Sequence, residues 1–179
     1  MKKVLNGIAA GVLALASTAG FAAAGDLTDA QIARIVVRAN IVDIHAGEMA
    51  KKNASSRDVK DFAQRMIIDH TGVNKQATTL VTRLNVMPEE SATSKSLQND
   101  SVKTLARLKN LKGAAFDKAY IDNEVAYHQI VLDTIDKTLL PNASNAELKD
   151  LITKVRPAID AHLQHAKSIQ AKLNKRPAA

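Results

Sequence analysis

Apolar positions recur every three to four residues through most of this chain, and the period holds over four long stretches that read as helices. The first opens at Thr28, an N-cap with Gln31 at capping-box spacing, and runs to about Lys52. Its apolar face carries Ile32, Ile35, Val36, Ala39, Val42, Ala46, Met49 and Ala50. The turn NASSRD follows, with Ser55 as the expected cap and Asp58 as its box partner, and a second helix extends from about Ser56 to Leu84. Val59, Phe62, Ala63, Met66, Ile67, Val73, Ala77, Leu80 and Val81 face inward from it. A third, from Phe116 to Leu139, gathers Phe116, Tyr120, Val125, Tyr127, Val131, Leu132 and Ile135 across about half its circumference at about 100° per residue. The fourth, capped at Ser144 with Glu147 at box spacing, carries Leu151, Ile152, Val155, Ile159, Leu163, Ala166 and Ile169 toward Leu173, and Pro157 should bend it.

Between the second and third stretches, NVMPEESATS at 85–94 is the clearest break. Leu97, Val102, Leu105, Leu108 and Leu111 then predict a shorter helix ending near Gly113, a residue able to take a positive-φ cap. Short loops join neighbours antiparallel, whereas a crossover of this length lets the second and third long helices run parallel. No strand pattern of useful length occurs, so the expected fold is all-α: a four-helix bundle whose crossover contains a short extra helix, spanning 25–173, with 174–179 as a flexible tail.

Composition changes the picture at the N-terminus. Lys2 and Lys3, an apolar run from Val4 to about Leu15, and Ala22-Ala23-Ala24 form the pattern of a cleavable export signal over 1–24. Its removal takes away two lysines and no acid, so the formal charge falls from +7 to +5. Basic and acidic residues are interspersed, without a basic block or a basic face interleaved with aromatics, which argues against a nucleic-acid partner. A mild positive charge suits contact with an envelope protein, an anionic polymer or a membrane surface. The mature chain offers no segment apolar and long enough to span a bilayer. With no cysteine, thiol chemistry is excluded and packing alone must hold the fold.

Against these apolar faces the inward polar residues stand out. Asp43, His70, the pair Glu124 and His128, and His162 all fall on inward stripes, so each long helix contributes at least one. Imidazoles and carboxylates from opposed helices can hold a transition metal such as iron or zinc, and the same groups can instead close a hydrogen-bonded network that specifies helix order. Counted from the first loop, Asp43 and His70 differ by about five residues of height, roughly 7 Å, which would leave Asp43 outside a site shared by the others. His45 and Glu48 fall outside the inward face, and His165 lies at its edge. No nucleophile elbow, phosphate loop, zincin helix or calcium loop is present, so no catalytic residue is assigned.

Three segments carry a resemblance: VKDFAQRMIIDHTGVN at 59–74, FDKAYIDNEVAYHQ at 116–129 and VRPAIDAHLQHA at 155–166. Through Phe62, Ala63, Met66, Asp69, His70, Phe116, Asp117, Tyr120, His128, Pro157 and His162 the chain resembles the exported bacterial domain-of-unknown-function family 4142, often labelled membrane or outer-membrane proteins. The resemblance implies a ferritin-like four-helix bundle in the periplasm or at the outer membrane, and it supplies no settled activity. On this reading the protein is an envelope bundle with a structural, stress-related or interaction role. The alternative is a metal-binding bundle using His70, Glu124, His128 and His162, with Asp43, Asp69, Asp117 and Tyr120 as surrounding network. The Glu-x-x-His repeats of ferritin-like di-iron enzymes are missing, since Glu124 and His128 stand four apart.

Overall fold

A computed structural model describes residues 27–175; the expected export signal and residues 176–179 lie outside the described residues. Five helices account for most of the described residues: α1 Asp29–Asn53, α2 Arg57–Arg83, α3 Ala92–Lys109, α4 Gly113–Thr134, and α5 Ala146–Asn174. The four long stretches read from the sequence are all present, and α3 is the short helix of the crossover. α4 does not stop at Thr134 but continues through a π turn, Ile135–Leu139, in which the amide of Leu140 donates to the carbonyl of Ile135, and then a last turn, Leu140–Asn142.

Contacts along the helices fix their directions. Asp117 near the start of α4 reaches Ser56 at the start of α2, and further along both helices His128 and His70 meet, so α2 and α4 run parallel. α5 runs against both, pairing Lys172 with Asp58 and Arg156 with Asp136. The parallel pair is the arrangement a long crossover was expected to allow. That crossover is pinned to α1: Glu90 accepts from Arg34 and Arg38, and the amide of Glu89 donates to the carbonyl of Ala30 at 3.1 Å.

Several local expectations are corrected by the hydrogen bonds. α3 begins at Ala92 rather than near Leu97, because Ser91 and Ser94 form a capping box that turns a serine-rich connection into a helix start. Val102, expected on the inner stripe of α3, is exposed. Gly113 does have positive φ, at 58°, but it opens α4 instead of closing α3. Ser55 is not the cap of α2; Ser56 holds that position without a side-chain bond. The carboxylate of Asp117 takes over, accepting from the amides of Ser55 and Ser56 at 2.8 Å each and from the Ser55 hydroxyl at 2.5 Å. The cap of α5 is Asn145, not Ser144, and the amides of both donate to Asp29 in the first turn of α1 at 2.9 Å. α5 is continuous through Pro157.

Apolar side chains pack in two separate clusters. One holds Ile32, Ile35, Leu80, Leu132, Ile152 and Leu163 among its members, and the other Phe62, Met66, Leu108, Phe116, Tyr120 and Ile169. Read along each long helix, the switch from one cluster to the other falls at Asp43, His70, Glu124–His128 and His162. A polar layer therefore lies between two apolar halves.

Candidate metal centre in the polar layer

The layer is deeply buried, with Asp43 at 1%, Glu124 and His128 at 0%, and His70 and His162 at 4% exposure. Ionisable groups persist at such depth only when each is hydrogen-bonded, paired or bound to an ion. The three histidine rings form a nearly equilateral triangle with centroids 5.3, 5.5 and 5.8 Å apart.

The outward nitrogens of the rings are all engaged. Asn40 Nδ2 donates to the carbonyl of Val36 at 2.8 Å, which turns its Oδ1 toward His70 Nδ1 at the same distance and makes that nitrogen the protonated one. His128 Nδ1 donates to the carbonyl of Glu124 at 3.0 Å. His162 Nε2 donates to Asp69 Oδ2 at 2.9 Å. Each ring thus spends its N–H on an outer acceptor and keeps the other nitrogen for the interior. Those interior nitrogens, His70 Nε2, His128 Nε2 and His162 Nδ1, have no hydrogen-bond partner in the protein.

The carboxylates meet the same centre. Asp43 Oδ2 lies 2.8 Å from His70 Nε2 and 3.3 Å from His128 Nε2, close in distance but not aligned as hydrogen bonds, and both Asp43 oxygens and Glu124 Oε2 are likewise unpaired. Among the described residues, one nitrogen each from His70, His128 and His162 lie within 4.8 Å of one another, and so do ligand atoms of Asp43, Glu124 and His128. The two groups share His128, so the five side chains form one cluster. Ligand nitrogens bind zinc at about 2.1 Å, so loading draws the rings slightly inward.

The electrostatics follow from burial and this proximity. Burial pushes the Asp43 carboxyl up, but His70 and His128 beside it outweigh burial and hold it well below the usual carboxylate range. Burial, and then the charge of Asp43, push the Glu124 carboxyl far up, which favours its protonated form. Burial works against a charged His70, yet the charge of Asp43 wins and raises it. Burial lowers His128, and it lowers His162 to about 4.

The four histidine and glutamate positions read from the sequence do come together. Asp43 joins them, against the expectation that its height would exclude it. It stands ten residues before the end of α1 and His70 thirteen after the start of α2, a gap of about three residues or roughly 4.5 Å. Side chains lean toward the N-terminus of their own helix, so Asp43 leans away from the first loop and His70 leans toward it, which closes the gap. Asp69 supports from outside through His162. Asp117 does not take part, being committed to the loop before α2. Tyr120 is fully buried, its hydroxyl has no partner in the protein, and burial followed by Glu124 and Asp43 push its phenol up. Asn40 escaped the sequence reading although it falls on the inward face of α1, one turn before Asp43. His45 and Glu48 are exposed, as expected; His165 is exposed too, its ring lying 5.3 Å from Phe62.

A family model described as a domain of unknown function (DUF4142) matches residues 14–169. Neither a curated protein nor a solved structure matches the chain.

Proposed function

Taking as premise that the chain belongs to the DUF4142 family, we propose that it is a metal-binding protein, holding one divalent transition-metal ion in the core of its helical bundle. The observation that carries this reading is the arrangement of the three histidines: every N–H is tied outward and every remaining nitrogen is left unpaired beside two carboxylates. In a closed hydrogen-bond network each interior nitrogen would be paired, and none of the three has a hydrogen-bond partner. Charge favours a single ion. Without it, a proton on Glu124 and one on His70 balance the cluster around Asp43; with it, two positive charges meet two carboxylates. Three imidazoles and carboxylate oxygen suit zinc or iron(II) better than calcium or magnesium, which prefer oxygen alone.

The set of ligands does not follow the Glu-x-x-His pattern, so the reading is of a single-ion site for binding or sequestration, not of a two-iron oxidase. The parallel second and third long helices joined through one crossover support the ferritin-like relationship drawn from the sequence. The N-terminal pattern supports export and with it an envelope setting for the site, and no described helix is long and apolar enough to cross a membrane. The test is elemental analysis of untagged protein purified from the periplasm. About one equivalent of a transition metal is expected in the native protein and none in His128→Ala or His162→Gln, with helicity retained. Substoichiometric metal that neither substitution changes defeats the reading and leaves the cluster as a packing network.

A further inference from the structure

A second feature touches the polar layer from the side. A cleft of about 50 Å³ is lined by residues from all five helices, with Ile35, Val131, Ile135 and Ile159 among its apolar walls and the buried His70 and His128 also lining it. Ile130, which also lines it, is 42% exposed. The volume is a few times the roughly 10–15 Å³ that one water needs and falls far below the roughly 300 Å³ at which drug-sized pockets begin. Its walls are almost wholly apolar. An ion or a sugar entering it would lose hydration with nothing in return, whereas an uncharged apolar molecule would lose little.

The π turn makes part of the wall. Ile135 opens that turn and lines the cleft, and a π turn inserts one residue into the helical ladder and splays the side chains on either side. The wall is thus set by an interruption of α4 located seven residues beyond His128.

We propose that this cleft admits one small uncharged apolar molecule, of the size of a diatomic gas, and delivers it to the ion at His70 and His128. The delivery rests on the metal reading above; the cleft does not. The tests use xenon on the metal-free protein and nitric oxide on the protein loaded with ferrous ion. Xenon should shift the methyl resonances of Ile35, Val131 and Ile159 saturably, and Val131→Phe, or Thr134→Leu if the first does not fold, should remove those shifts. The same substitution should slow nitric oxide association at least tenfold while leaving the iron content unchanged. Absence of saturable xenon shifts overturns the cleft as a binding site. An unchanged association rate in a folded, iron-loaded variant overturns delivery. Protein that takes up no ferrous ion overturns delivery, the metal reading falls only if zinc is not taken up either, and the xenon result still decides the cleft.

Discussion

His70 Nε2 faces Asp43 Oδ2 at 2.8 Å without the alignment of a hydrogen bond, while the other nitrogen of the ring is held by Asn40. An ion between the two atoms resolves that contact. Asp43→Asn keeps the shape and removes the charge, and it should abolish stoichiometric zinc binding measured by competition with a chromophoric chelator. Asn40→Ala leaves every ligand in place but frees the His70 tautomer, and it should weaken zinc about 10- to 100-fold, the usual effect of losing an outer partner of a ligating histidine. Equal affinities in the wild type and both variants would remove the site.

Metal uptake should displace protons. Burial and Asp43 push Glu124 far up, and Asp43 raises His70, so both groups favour their protonated forms without the ion and release protons on binding. Calorimetry of zinc binding at neutral pH in buffers of different ionisation enthalpy should show net proton release on binding. Affinity should fall as pH drops, since protons return to the same atoms. Proton release near zero would contradict the assignment of Glu124 and His70 as ligands.

Asp117 organises the loop before α2 through two amides and a hydroxyl, and it is 1% exposed. Asp117→Ala strips partners from these donors and should cost about 2–4 kcal/mol in urea unfolding. Metal stoichiometry should not change, because Asp117 stands apart from the polar layer.

Two helical glycines should respond oppositely to alanine. A Cβ on Gly47 would meet the carbonyl oxygen of Ala63 at 3.0 Å and Ile67 Cγ1 at 3.1 Å, whereas one on Gly72 meets nothing within 4 Å. Gly72→Ala should stabilise the fold by about 0.5–1 kcal/mol through helix propensity. Gly47→Ala should destabilise it by about 1–2 kcal/mol, because forcing α1 from α2 outweighs the same propensity gain. Stabilisation by both would mean that the two helices are less closely packed than described.

Glu90 ties the crossover to α1 in a pH-dependent way. The Ser94 hydroxyl first, and the Arg34 and Arg38 guanidinium groups with it, pull its carboxyl from the ordinary 4.5 to about 2. A depressed carboxylate stabilises the fold above its unfolded value and loses that contribution as pH falls through the folded value. Wild-type stability should therefore fall more steeply than that of Glu90→Gln between pH 4.5 and about 2, by an amount that shrinks with added salt. Equal slopes for both proteins would show the contacts to be energetically silent.

The long helices were legible because their apolar faces repeat over many turns. Asp43, His70, Glu124, His128 and His162 were legible for the same reason: a charged residue inside such a face breaks a strong pattern. What the pattern did not give was depth. The exclusion of Asp43 came from counting rise along helix axes, which ignores the opposite lean of side chains on antiparallel helices. Asn40 went unnoticed because a neutral amide interrupts an apolar stripe less visibly than a charge. The start of α3 was misplaced because Ser91 and Ser94 look like loop residues until their mutual bonds are known, and the π turn has no composition that marks it.

That π turn divides α4 into two parts with different angular phase. Glu124 and His128 lie before it; Leu140 and the chain leading to Ser144 and Asn145, which Asp29 grips, lie after it. Removing one residue from 135–139 would restore a regular helix and rotate everything beyond by about 100° relative to the polar layer. The insertion therefore acts as a phase adjuster, letting one helix aim ligands into the layer at one end and seat the grip on Asp29 at the other.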